Sequence, residues 1–311
     1  MTFPRLLAAA AMTAAAALTL SACSGNSADA AADGDGDALT VAVVTPYLAN
    51  AATKEVIDLL ENQADERGWN LSVEDTAGDM NKLNSAFQNA AAQQPDAIVL
   101  GMGDPTQISL GLNAAADAGV PVFAIDAGEA DGIAANVTSD NTDLGTQSAQ
   151  ALVDAMGGSG SIVMLTHDPH PGVRARAEGA RAVFEENGIE IIEEKHVNVP
   201  GPVDDARTSV QDIISAQGDA VTGIWGGWDE PALGATQALE AAGVTDVVVV
   251  GVDGQDFAIE EIEKGGPFVA TVKQDWDAVA AMVADLIADA ADGTMPSQSQ
   301  YELPGTLILA P

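Results

Sequence analysis

The 311-residue chain has one cysteine, Cys23, so no disulfide can form within it. Basic residues are scarce: 11 Lys and Arg face 47 Asp and Glu, a formal net charge of −36. Phosphate backbones are held by basic patches, so nucleic-acid partners are excluded. Attraction to anionic lipid through charge is disfavoured for the same reason. Beyond Cys23 no apolar run is long enough to span a bilayer. The chain also lacks a Gly-x-Ser-x-Gly nucleophile elbow, a cysteine available as a nucleophile and a phosphate-binding loop, which leaves little for an enzyme to work with. The acid excess reads as solubility outside the cell, as in a saline habitat.

The N-terminus accounts for the cysteine. Arg5 provides a positive start, Leu6 to Leu20 form an Ala/Leu-rich run too short to span, and Leu20-Ser21-Ala22-Cys23 resembles a bacterial lipoprotein signal. Residues 1–22 are therefore expected to be a signal peptide, with Cys23 lipidated and 23–38 a small, acidic tether. Within that tether, Asp33-Gly-Asp-Gly-Asp37 is superficially like a calcium loop, but Val44 stands where the twelfth-position carboxylate is needed, and no metal is expected.

Beyond the tether the chain is long enough for two domains, and its 47% apolar content suffices for packed cores. Val247-Val-Val-Val-Gly-Val-Asp253-Gly254 reads as a strand buried on both faces, the mark of a parallel sheet covered by helices. Val120-Pro-Val-Phe-Ala-Ile125-Asp126 repeats the arrangement upstream. Ligands of open α/β sheets bind beyond the carboxyl ends of strands, so Asp126 and Asp253 are placed to line one cleft from two sides. Between and around them, strands (39–45, 70–75, 97–100, 122–125, 134–137, then 161–165, 189–197, 220–225, 268–272) alternate with helices whose apolar spacing is 3.6. Trp225 is expected to be core, and Trp276 to start the last helix.

From Leu39 to about Leu309 the chain resembles the pentose- and hexose-type substrate-binding proteins of ABC importers, the ribose-binding group most closely. The stretches that carry this are Gly119-Val-Pro-Val-Phe-Ala-Ile-Asp126, Val137-Thr-Ser-Asp-Asn141, Arg174-Ala-Arg-Ala-Glu-Gly179, Asp229-Glu-Pro-Ala-Leu-Gly-Ala235, Gly251-Val-Asp-Gly254 and Ala270-Thr-Val-Lys-Gln274, in that order. The resemblance implies a type I periplasmic-binding-protein fold, an α/β architecture of two doubly wound parallel-sheet lobes joined by three hinge crossings. Residues 39–139 plus 275–296 would form the N-terminal lobe and 140–274 plus 297–311 the C-terminal lobe, with crossings near 139/140, 274/275 and 296–299. The lobes would close on ligand.

The resemblance implies Asp126 and Asp253 as acceptors for ligand hydroxyls, Arg174 as a forked donor and Gln274 as a donor and acceptor at a crossing. Trp228 replaces a frequent Asn and can stack on a C–H face. Tyr47 and Asn50 are the residues able to serve from the first loop. The family's usual Arg after the first aspartate is Ala127 here, so a solute other than ribopyranose is expected: a linear polyol, a deoxy sugar or another small neutral molecule. His167 and His170 lie in a Pro-splayed loop, with ligand contact and plain turn both open and metal disfavoured. Gly101-Met-Gly103 lacks a third glycine, and no cofactor is expected. The implied role is that of a monomeric, lipid-anchored extracytoplasmic receptor delivering a sugar or polyol to an ABC permease; the alternative is a receptor docking on a membrane sensor.

Overall fold

The structure is a computed structural model and describes residues 38–310; the signal, Cys23, the tether and its acidic run lie outside the described residues. In chain order the elements are β1 (Thr40–Thr45), α1 (Ala51–Arg67), β2 (Asn70–Asp75), α2 (Met80–Ala92), β3 (Ala97–Gly101), α3 (Ser109–Ala118), β4 (Val122–Ile125), β5 (Ala135–Ser139), α4 (Asn141–Ala155), β6 (Ser161–Thr166), α5 (Pro171–Glu186), β7 (Glu190–His196), α6 (Pro202–Gln217), β8 (Gly223–Gly226), α7 (Asp229–Ala242), β9 (Val248–Asp253), α8 (Asp256–Glu263), β10 (Phe268–Lys273), α9 (Trp276–Ala291), β11 (Gln300–Leu303) and β12 (Thr306–Leu309). None of these helices is long and apolar enough to cross a membrane.

Among the described residues two six-stranded sheets form, ordered β11-β5-β4-β3-β1-β2 and β12-β10-β9-β8-β6-β7. Apart from β12, which runs antiparallel to β10, every pairing is parallel. Each sheet is a doubly wound unit whose strand order reverses beside its first strand, between β1 and β3 in one lobe and between β6 and β8 in the other. The β-branched runs form strands because helices cover both faces. In β3, Ala97 and Val99 face one core while Ile98 and Leu100 face the other. In β9, Val249 and Val250 divide the same way between the two cores of the second lobe. Each fully buried Val, Leu or Ile contributes roughly 1.5–3 kcal/mol, so these strands hold the frame on which the loops sit.

The chain passes between the sheets after β5, after β10 and between β11 and β12. The third passage corrects the expected crossing at 296–299. Gln300–Leu303 pairs with β5 in the N-terminal lobe, and only after Pro304-Gly305 does β12 join the other sheet. The N-terminal lobe thus includes residues beyond 296. Gly305 marks the crossing, since a Cβ there would lie 2.1 Å from Leu144 and 2.9 Å from Val272. The eight-residue α8 between β9 and β10 continues the alternation of strands and helices.

One helix contact places the site. Helices α4 and α5 touch backbone to backbone: a Cβ on Gly145 would lie 1.9 Å from the Arg176 carbonyl oxygen, and one on Gly179 would lie 2.2 Å from that of Thr142. This reciprocal approach presses α5 against the start of α4, just after the first crossing. In an open helix, Gly to Ala stabilises by about 1 kcal/mol. Gly145→Ala is expected to do the opposite and destabilise by about 1–3 kcal/mol, as overpacking does. The sign of its change in urea unfolding free energy checks the contact.

Candidate functional site

The site forms where the carboxyl ends of both sheets face one another. Tyr47 follows β1, Met102 follows β3, Asp126 follows β4, His167 follows β6, Trp228 follows β8, and Asp253 ends β9. With Asn50, Thr53, His170, Arg176, Trp276 and neighbouring apolar side chains they line a cleft of about 400 Å³, part of it open to solvent.

Arg176 lies at its centre and is 2% exposed. Its Nη2 is 3.3 Å from Asp126 Oδ2 in the first lobe, and its Nη1 is 3.1 Å from Asp253 Oδ1 in the second. Nε donates to Asn141 Oδ1 at 2.7 Å and Nη1 also donates to the Gly227 carbonyl at 3.1 Å, which fixes the guanidinium plane. Asp126 Oδ1 accepts from Thr138 Oγ1 at 2.6 Å and Asn141 Nδ2 at 2.7 Å. Asp253 Oδ1 accepts from Gln274 Nε2 at 2.8 Å. Both aspartates have left-handed backbones, φ 43° at Asp126 and 124° at Asp253. Such strain in non-glycine residues persists only where the surroundings over-determine it, and it concentrates at functional sites.

The two carboxylates sit in different electrostatic states. Burial works to raise both. At Asp126 the charges of Arg176 and His170 and the bonds from Thr138 and Asn141 prevail, and the pKa falls below 3.8. At Asp253 burial prevails over Arg176 and Gln274, with Asp126 and Glu230 adding repulsion, and the pKa is pushed up to about 7. Behind it Asp229, fully buried, is raised by burial and by Asp253; it accepts from the Gln255 amide at 2.8 Å and Thr271 Oγ1 at 2.7 Å, holding the turn after β9. Tyr47 is raised to about 12, first by burial and then by Asp104. Its hydroxyl meets His167 Nε2 at 3.3 Å across the cleft.

Five of the expected residues, Tyr47, Asn50, Asp126, Trp228 and Asp253, line the cavity. Gln274 stands behind Asp253 and reaches the site through it. Arg174 is corrected: its side chain is 41% exposed and its Nη2 pairs with Asp104 Oδ2 at 3.1 Å, at the rim. The cleft arginine is Arg176. Helical spacing separates the two, because Val173, Arg176, Ala177, Ala180 and Phe184 form the buried stripe of α5 and Arg174 falls off it.

His170 and Trp276 are further lining residues. His170 caps α5, Nδ1 accepting from the Val173 amide at 3.2 Å, and Pro171 behind it starts the helix. Accepting at Nδ1 leaves the proton of the neutral ring on Nε2, 3.8 Å from Asp126 Oδ2. Trp276 begins α9 at the second crossing, and its buried indole N–H has no partner among the described residues; neither does Gln274 Oε1. Among the described residues no group of His, Cys, Asp and Glu is arranged to hold a metal.

Residues 41–295 match the periplasmic binding protein domain. The chain belongs to that family. It is 31% identical to the D-apiose import binding protein of Actinobacillus succinogenes over 76% of this chain and 77% of that one. It is 27% identical to the xylitol-binding protein of Mycolicibacterium smegmatis over 84% and 73%. Its fold superposes with a TM-score of 0.82 on an ABC transporter solute-binding protein from Agrobacterium vitis with bound allitol, 28% identical, covering 88% of this chain and 96% of that one. The two parallel-sheet lobes are therefore the type I periplasmic-binding-protein fold, and the family is one of solute binding.

Burial lowers the His170 pKa from 6.5 to about 4, against the pull of Asp126. A depressed value in the folded state means that the contribution of His170 to stability is present above pH 6.5 and lost as pH falls towards 4. The ring is expected to titrate by NMR near pH 4, and His170→Gln to flatten the stability loss between those values.

Proposed function

We propose that this chain is an extracytoplasmic solute receptor that captures a small neutral sugar or polyol between its lobes and delivers it to an ABC permease, acting as a monomer held to the membrane by lipid on Cys23. The observation that supports this most is the meeting of Asp126 and Asp253, from different lobes, on one guanidinium, with Trp228 from one lobe and Trp276 from the other lining the same cavity. A hydroxyl donates and accepts at once, so it suits carboxylates beside an arginine; a C–H face suits an indole. The curated relatives are named for apiose import and xylitol binding, and one solved relative holds allitol, all small and rich in hydroxyls. The role is binding and closure without chemistry: both carboxylates are occupied by fixed donors.

Asp126, Asp253 and Arg176 would hold hydroxyls. Trp276 would donate its unpartnered N–H to a ligand oxygen, and Gln274 Oε1 is the matching unpartnered acceptor. Ala127 withholds the second guanidinium that relatives of the ribose type usually present, which turns the pocket from ribopyranose towards open-chain or deoxygenated solutes.

A thermal-shift screen of the purified protein against pentoses, hexoses, deoxy sugars and polyols tests the reading, since a binder raises the melting temperature by mass action. At least one polyol or pentose is expected to do so. Asp253→Asn keeps the shape of a side chain about half protonated at pH 7 and is expected to fold. It should nevertheless weaken that solute by about 10- to 100-fold, the value of a hydrogen bond to a charge. Trp276→Phe, which removes only the N–H, should weaken it by about 2- to 10-fold. Unchanged affinity in both variants, measured by calorimetry, would remove the assignment.

A further inference from the structure

Glu230 touches the site from outside it. It is the second residue of α7, in the C-terminal lobe, and does not line the cavity. Its Oε2 accepts from Trp228 Nε1 at 3.2 Å and from Asn50 Nδ2 across the cleft. The Ala51 amide lies near the same carboxylate and helps to offset the rise in its pKa. Asn50 and Ala51 are the N-cap and first residue of α1, in the N-terminal lobe, and the first turn of α1 carries no acid of its own. An N-terminus of that kind has free N–H groups and a partial positive charge. The opposite lobe provides the carboxylate that completes it.

We infer that Glu230 is a positioning residue that latches the lobes: it docks on the start of α1 only when the cleft is shut, and in doing so fixes two cavity-lining side chains, Asn50 from one lobe and Trp228 from the other. This rests on the reading of the cleft as a solute site. Two other contacts cross the cleft near the rim, Arg174 to Asp104 at 3.1 Å and Gln255 Nε2 to Glu55 Oε2 at 2.7 Å. Neither Gln255 nor Arg174 orients a residue that lines the cavity. Glu230 alone of the three ties closure to the shape of the pocket. Burial raises its pKa above 4.5, so a neutral side chain with the same acceptor is tolerated in the shut state.

The test compares wild type, Glu230→Gln and Glu230→Ala by double electron-electron resonance, with spin labels on cysteines placed at the exposed positions Gln88 on α2 and Arg207 on α6, with and without saturating xylitol. A latch predicts that wild type and Glu230→Gln share a short-distance population, and that Glu230→Ala loses it by about tenfold. A role confined to the charge of the first turn of α7 predicts instead that Gln and Ala behave alike, and that result overturns the latch, as do three identical distributions. Should Glu230→Ala open the lobes while xylitol and the screened solutes move none of the three proteins, the latch stands and the solute assignment is what fails.

Discussion

A guanidinium shared between two buried carboxylates is the interaction on which the rest of this structure depends. Removing Asp126 and Asp253 from water is unfavourable unless each finds a cation or several donors. Arg176 reaches both, from a helix that belongs to only one of the lobes. To reach them it must lie flat against Asn141, and it does so because α4 and α5 approach through Gly145 and Gly179 with no side chain between. The glycine pair, the orienting amide and the strained φ at both aspartates are successive conditions for one charge cluster.

The same cation leaves its two partners in unlike states. Asp126 accepts from Thr138 and Asn141 as well as facing Arg176, and it stays ionised. Asp253 has fewer donors and faces Asp126 and Glu230, so burial leaves it about half protonated at pH 7. One acceptor fixed in charge beside one that exchanges a proton easily is a good match for hydroxyl groups, which offer a donor and an acceptor on the same oxygen.

The frame is legible in the sequence because its signal is redundant. Four β-branched residues before Gly251 and the βα rhythm either side of it leave few alternatives to a covered parallel sheet. Strand-end position alone brings Asp126 and Asp253 to one cleft. The information that escapes is carried by phase and by distant pairing. Arg174 and Arg176 are two residues apart, and order along the chain favours the first; the apolar phase of α5 selects the second. His170 reads as either a ligand contact or part of a turn, though Pro171 after it signals a helix start whose cap faces the strand ends. Gln300–Leu303 is a short edge strand whose membership is decided by pairing with β5, and no local pattern announces which sheet will take it. Trp276 reads as the start of a helix, which it is; that its ring also reaches the cleft depends on where α9 packs against α1.

The division of charge between the lobes explains why closure and recognition belong together. Arg176, Asp253 and Gln274 all lie between the first and second crossings, so that trio belongs to the C-terminal lobe. Asp126 lies across the gap, and its positive or polarised neighbours Arg176 and His170 come from the opposite lobe. Closure of the cleft on a solute, as the proposed function requires, would bury Asp126 and provide its counter-charge in the same movement. Its lowered pKa means that Arg176, His170, Thr138 and Asn141 together outweigh the cost of burying the charge in this arrangement. A solute bridging Asp126 to the trio would add to an attraction already present. Population shift by a small ligand needs only that its contacts differ between the open and shut states, and here they differ because half of the site is on each side.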